Sequence, residues 1–416
     1  MKSKRELMVM KSKRELMVMK SKSVNFKIAV LFLTFTAVFT LFRSSMSGIF
    51  SLFYAKNGIP NANISSIKSF QNIGIMLGLL PAGYLADRIG RLKVLSLSSI
   101  VIASSFLILI LFRNFLFFSL AELLYGIGLA LNSGTLIAYI TDLQEQNHLS
   151  PNSKLMGMQV IILNLTTLIG GNIGTGLFAI ADTAPVWFAL IGLGLYPAFI
   201  FFMIQFLSFS DNKAAYKRKN NNIKNIANFF KKRNFWILLL LNVGYDCGTQ
   251  FILIYWSIIY VEKLGFNLSL VYTLFMCALI LGSLIFNRIS TFASSRSITI
   301  LNTVCMILVF VLSGIIENKY LLLTLFLLIE LLMGMMSGQI SATSNEAIYG
   351  ESNKSTMLSL VSFIAEILVS LSLFVSNAIM KWAGNLKVMF FVSAASFSIV
   401  LLIIPLIKQK KELSAK

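Results

Sequence analysis

Apolar runs long enough to cross a bilayer recur along nearly the whole chain, separated by short polar stretches. A hydrocarbon core takes about 20 apolar residues per helix. On that measure the pattern predicts twelve spans. The first six lie at about 28–54, 64–86, 94–112, 115–141, 155–181 and 184–207. The second six lie at about 235–260, 268–287, 298–316, 320–345, 356–380 and 387–407. The alternation of apolar and polar residues that marks a membrane β-barrel is missing, so an all-α integral membrane protein is expected. A polar stretch rich in Lys, Arg and Asn separates the two sets of spans. The expected organisation is a tail at 1–27, a six-helix bundle at 28–207, a connector at 208–234, a second bundle at 235–407 and a tail at 408–416.

The two sets of six also resemble each other. Ala86-Asp87-Arg88-Ile89-Gly90 lines up with Phe286-Asn287-Arg288-Ile289-Ser290 at an offset of 287 − 87 = 200. The same offset brings Asn152-Ser153-Lys154 near Ser352-Asn353-Lys354, and Glu122-Leu-Leu-Tyr-Gly126 pairs with Glu330-Leu-Leu-Met-Gly334 after a small shift. Matches in chain order point to a duplicated unit, an architecture in which a site forms where the repeats meet.

With 57% hydrophobic residues, 12% charged and a mean hydropathy of +0.81, the chain is too apolar for a soluble protein of this size. Its net charge of +20 would suggest nucleic acid in a soluble protein, but placement argues otherwise. Nine Lys and Arg precede span one and eight lie between spans six and seven. Only Lys56, Arg113, Lys263, Lys319, Lys381 and Lys387 fall on the other side. By the positive-inside rule both termini are cytoplasmic, in a cell membrane whose anionic inner leaflet partners the basic face. No nucleic-acid partner is expected. The first nine residues repeat at 10–18, either as an amphipathic basic tail on the inner leaflet or as a duplication without a role. The first apolar run is too long for a cleavable signal and reads as an uncleaved helix. Cys247, Cys277 and Cys305 fall inside spans and suggest no disulfide framework.

One stretch carries more chemistry than the rest: Gly83-Tyr84-Leu85-Ala86-Asp87-Arg88-Ile89-Gly90-Arg91-Leu92-Lys93, wedged between two apolar runs. Its four charged groups require a tight, water-facing turn. Gly-x-x-x-Asp-Arg-x-Gly-Arg-x-Lys in that setting resembles the loop between spans two and three of the major facilitator superfamily, in particular its small-molecule and drug permeases. The resemblance implies two pseudo-symmetric six-helix bundles and transport by alternating access. Gly83 is expected to allow close helix approach, and Gly90 a tight turn. The resemblance further implies that Asp87 faces the N-terminal end of span eleven, near Asn353 to Thr356, where an anion gains about 0.3–1 kcal/mol. Arg88, Arg91 and Lys93 would pair with carboxylates or headgroups, making the loop a cytoplasmic gate. The second-half copy has lost its acid (Asn287) and its glycine (Ser290).

Charges deep in a span cost roughly 2.5–3.5 kcal/mol on insertion scales and usually face a cavity or a partner. Five candidates stand out: Arg43, Glu122, Asp246, Glu330 and Glu366. In the superfamily, spans one, four, seven and ten line the central cavity, and the first four of these charges fall on them. Arg43 and Glu122 sit at similar depths and are expected to pair. Asp246 and Glu330 have no evident cation, and desolvation of an unpaired carboxyl favours the neutral acid, the behaviour of a proton-coupling site. Glu366 takes either that role or bonds to Ser362 and Ser370. Tyr245, Gln250, Tyr255 and Trp256 around Asp246 suit a cavity for cationic or amphipathic solutes. For Tyr255 and Trp256 an interfacial aromatic belt is the alternative. Lys68 is expected to snorkel to the outer surface, and Asp142 and Glu346 to close spans four and ten at the inner face.

Span five carries Gly170-Gly171-Asn172-Ile173-Gly174-Thr175-Gly176, small residues suited to close packing. Drug antiporters of the family add a proline there and an acid in span one, both missing here. The excess of acids over bases among the membrane charges, four (Glu122, Asp246, Glu330, Glu366) against one (Arg43), nonetheless suggests a proton-coupled exporter of small cationic, zwitterionic or amphipathic molecules. It acts as a monomer driven by the proton gradient, without metal or cofactor. Import of a small acid, peptide or sugar, or lipid translocation, are the alternatives. An enzyme is not expected, because the one histidine, His148, sits alone without metal-ligand spacing.

Overall fold

A computed structural model describes residues 2–147, 149, 153–209, 230–347 and 354–401. Every regular element among them is helical. Span one is Lys2–Ser44 followed by Phe50–Lys56, span two Asn61–Ile89, span three Arg91–Leu111, and span four Phe115–Ser133 with Thr135–Gln146. Spans five and six are Ser153–Ile180 and Ala184–Leu207. In the second half, span seven is Arg233–Ser257 and ends in a π-helical turn, Ile258–Lys263. Spans eight to twelve are Leu268–Ile289, Ser295–Ile315, Lys319–Ala347, Lys354–Ala383 and Val388–Leu401. Ten helical stretches are long and apolar enough to cross a bilayer among the described residues. Asn61–Ile89 and the shorter Val388–Leu401 fill the places of spans two and twelve. Most of the 208–234 connector, His148, Asn353 and the 408–416 tail lie outside the described residues, as do the side chains of residues 1–22, Thr356 and Glu346.

The helix ends follow local chemistry. Asn114, Asn267 and Ser294 cap spans four, eight and nine, each side chain accepting the backbone N–H three residues on. Span one begins well before its apolar run: 43 continuous helical residues extend about 64 Å, roughly twice a hydrocarbon core. It breaks after Ser44, where the Ser44 and Ser45 hydroxyls donate back to the carbonyls of Leu41 and Phe42. Gly90 is the whole turn between spans two and three. Its φ of 102° and ψ of 146° belong to a region essentially closed to residues with a Cβ. Gly90 marks one face of the molecule, and Gly58, between spans one and two, the other.

Glycine sets how closely the helices approach. A Cβ on Gly74 would run into the Leu123 carbonyl, and one on Gly126 into the Gln71 carbonyl, so spans two and four touch backbone to backbone. Spans eight and ten repeat the device: Gly282 lies against the Leu331 carbonyl and Gly334 against that of Leu279. The offsets agree, 282 − 74 = 208 and 334 − 126 = 208, and Glu122 and Glu330 share them. The duplicated unit is thus visible in the packing. Gly83 has no such role, because a Cβ there meets no described atom within 4 Å. In span five, Gly170 and Gly174 admit the backbone of span one at Leu41 and Ser45, while Gly171 admits the Tyr272 ring from span eight.

The offset of 200 holds at the turn itself, where Ile89 and Ile289 end spans two and eight, while the packing inside those spans runs at 208. At 208, Asn287 answers to Leu79, and span eight stops seven residues past Gly282 where span two runs fifteen past Gly74. Eight residues are about 12 Å of helix. The second half therefore lacks the helical extension that carries the Asp87 turn, as well as its acid.

Side-chain hydrogen bonds between the halves cluster toward the Gly58 face. The Tyr255 hydroxyl donates to the Asn61 carbonyl at 2.7 Å and accepts from Ser65 N–H at 3.1 Å. Asn377 donates to the Ser66 hydroxyl, and Phe70 and Phe374 stack edge to face beside them. Ser269 and Thr273 both donate to Asn172 Oδ1, at 2.7 and 2.9 Å, and Tyr272 donates to the Thr167 carbonyl at 2.9 Å. Tyr255 and Trp256 are buried in this seam, so neither an aromatic belt nor an open cavity describes them.

Gly74→Val or Gly126→Val is expected to lower the melting temperature of the purified protein sharply, whereas Gly83→Ala leaves it unchanged. A destabilised Gly83→Ala variant would contradict this packing.

Candidate functional site

Glu122 is 1% exposed, and its partners are not those expected. Lys68 Nζ reaches Glu122 Oε1 at 2.5 Å, and the Tyr54 hydroxyl donates to the same oxygen at 2.5 Å. The ammonium also lies 3.8 Å from the centroid of the Phe50 ring and donates to Gln71 Oε1 at 3.3 Å. The pairing of Glu122 with Arg43 is thereby corrected, and so is the snorkelling of Lys68. Span two starts at Asn61, three residues earlier than its apolar run suggests, so Lys68 lies two turns deep. There its stem is too short to regain water, and the Glu122 carboxylate is the nearest compensation. Tyr54 and Lys68 are residues the sequence reading missed as a site. Their signal was the depth of the lysine together with an acid two helices away.

Arg43 is left with a neutral partner. Its Nη1 donates to the Tyr125 hydroxyl at 3.3 Å, and none of the described carboxylates pairs with it. The Tyr272 hydroxyl of the second half lies within electrostatic reach of both Arg43 and Glu330. Arg43 thus stands on the first-half side of the seam and Glu330 on the other.

The second-half acids are unpaired among the described residues. Glu330 is 5% exposed, and Tyr245, Tyr260 and Tyr272 lie within range of its charge. Asp246 and Glu366, on spans seven and eleven, are half-buried and close enough for their charges to interact. The expected bond from Ser370 to the Glu366 carboxyl does not form: its hydroxyl donates to the Glu366 backbone carbonyl at 2.7 Å. Ser362 is exposed, and Gln250 is half-buried on span seven. The five charged residues among the six expected at the site divide in two. Arg43 and Glu122 sit in separate polar groups of the first half, and Asp246, Glu330 and Glu366 form a bare acidic set in the second.

At the Gly90 face only part of the expected gate has partners. Arg91 is buried and forms a forked pair with Asp142, its Nη2 3.4 Å from Oδ1, which ties span three to span four. Arg88 donates to the Tyr84 hydroxyl at 3.3 Å. Asp87 and Lys93 are exposed; at the start of span eleven, where an Asp87 partner was expected, Asn353 and the side chains of 354–359 lie outside the described residues.

A buried ion pair is costly to halve. Lys68→Met strands the Glu122 carboxylate and is expected to cost about 3–5 kcal/mol of stability, whereas Lys68→Met with Glu122→Gln restores most of it. Thermal unfolding of the purified variants checks this. A Lys68→Met protein as stable as the parent would contradict the pairing.

No curated protein matches the chain in sequence. Solved structures do match in fold. The crystal structure of a mutant of the nucleoside transporter NupG superposes with a TM-score of 0.73 at 11% identity, covering 92% of this chain and 100% of that one. A crystal structure of NupG itself gives 0.71 at 12% identity with the same coverage. The family model described as Major Facilitator Superfamily matches residues 31–373, well over half the sequence. The chain belongs to the major facilitator superfamily: it is a multi-pass membrane transporter and not an enzyme.

Proposed function

We propose that the chain is a proton-coupled antiporter that exports small cationic, zwitterionic or amphipathic molecules across the cell membrane by alternating access. The observation that carries this reading is the set of Asp246, Glu330 and Glu366, desolvated and unpaired among the described residues, on spans seven, ten and eleven. Acids without counter-ions in a low-dielectric site can exchange protons or bind a cationic group. A purely structural acid would be matched, as Glu122 is.

The distribution of Lys and Arg puts the Gly90 face in the cytoplasm. The seam at the Gly58 face then makes this an inward-facing state. Exposure of Asp87 suits that state, in which the cytoplasmic latch is released. On this reading Asp87 engages span eleven when the inner side closes, and the truncated second-half turn makes it a single-sided latch. No metal or cofactor is needed, since the proton gradient supplies the energy.

Uptake of a neutral polar solute is a second reading. Thr36, Thr40, Asn132, Ser133 and Gln159 set neutral polar groups beside Arg43 in a mainly apolar pocket of the first half, and the NupG structures of like fold belong to a nucleoside transporter.

Asp246→Asn is expected to abolish substrate flux driven by a pH gradient in proteoliposomes while the protein still folds. Undiminished flux in that variant overturns the assignment. Asp87→Asn should slow turnover several-fold with substrate affinity retained, measured as flux beside equilibrium binding. Normal turnover would remove the latch.

A further inference from the structure

We infer that the pocket beside Arg43 receives the carboxylate of the transported molecule, an inference that rests on the transporter reading above. Spans one, four and five enclose a cavity of about 330 Å³ whose wall includes Phe35, Phe39, Thr36, Asn132, Gln159 and Arg43. Small-molecule sites begin at roughly this size, enough for one ring and a short chain.

The one charged group among the described residues of this wall, Arg43, is a donor only. A guanidinium carries five N–H donors and no acceptor. One of them reaches the Tyr125 hydroxyl at a long 3.3 Å, and no described acid approaches the rest. Glu122, the acid at similar depth, is held by Lys68 and Tyr54. Asn132 Nδ2 is buried without a hydrogen-bond partner. Two of the hydroxyl hydrogens nearby are already engaged: Thr36 donates to the Phe32 carbonyl at 2.9 Å and Ser133 to that of Ala130 at 3.3 Å.

A neutral sugar or alcohol would leave the charge of the guanidinium unmatched. A carboxylate brings acceptors only, and its two oxygens match the planar fork of the guanidinium. One guanidinium in the wall matches a single negative charge. Phe35 and Phe39 give an apolar remainder somewhere to lie. Among the classes proposed above, the transported molecule is therefore one that carries a carboxylate, a zwitterion or a small amphipathic acid. An ammonium on the same molecule would find Glu330 across the seam.

The test uses four matched probes on the purified full-length protein in nanodiscs: 4-hydroxyphenylacetate, tyrosine, tyramine and tyrosinamide. The two with a free carboxylate should raise the melting temperature and the two without should not. In Arg43→Gln the apparent affinity for the carboxylates should fall by roughly tenfold to a hundredfold, the loss of a charge-assisted bond. Arg43→Lys should keep part of it. Should Arg43→Gln fail to fold, Arg43→Lys and Asn132→Leu carry the test, each expected to weaken carboxylate binding. Equal stabilisation by tyramine or tyrosinamide overturns the inference, as does unchanged carboxylate binding in the variants or no response to any of the four. The assay needs no gradient. Carboxylate binding without pH-driven flux would leave the pocket standing and remove proton coupling, and flux without carboxylate preference would do the reverse.

Discussion

Hydrocarbon offers a charge nothing to bond, so each ionised side chain in this bundle must carry its own compensation or be held for work. Lys68 and Glu122 meet that demand between themselves. Their ion pair, with the Tyr54 hydroxyl on the same carboxylate oxygen and the Phe50 ring under the ammonium, closes Glu122 to a second cation. Everything else about the charges follows from that closure. Because Glu122 is taken, Arg43 keeps an open guanidinium. Because no second lysine enters the other half at equivalent depth, where Met276 answers to Lys68 at the packing offset, Glu330 keeps an open carboxyl. A duplicated unit has become a polar pair in one half and an unmatched acid in the other.

The glycines make that division mechanical. Gly74 with Gly126, and Gly282 with Gly334, bring helix backbones into direct contact and fix each half internally. Between the halves the ties are of another kind: neutral hydrogen bonds from Tyr255, Tyr272, Ser269, Thr273 and Asn377, gathered toward one face. Such bonds in membrane proteins contribute about 0.6 kcal/mol each. Rigid halves joined by a weak seam are what a rocking transporter requires.

Much of this was legible in the sequence because the signals are one-dimensional. Apolar runs gave the spans, Gly90 gave the turn, and acids in apolar surroundings gave Asp246, Glu330 and Glu366. What was hidden depends on rotation and exact depth. Three residues at the start of span two decide whether Lys68 snorkels or sits buried against Glu122. A two-turn truncation of span eight separates the offset of 208 inside the spans from the offset of 200 at the turn, and apolar patterning does not show where it falls. The donors around Arg43 escaped notice because Asn132 and Gln159, read singly, are ordinary polar residues within spans.

The central claim is that paired membrane charges hold the fold while unpaired ones do the transport. Its most direct test is pH-driven flux in the Lys68→Met, Glu122→Gln double variant beside the parent protein, in proteoliposomes of equal protein content. The account predicts flux close to that of the parent, since only a matched structural pair has been removed. Loss of flux in a stably folded double variant would contradict it, and would place Lys68 and Glu122 among the working charges.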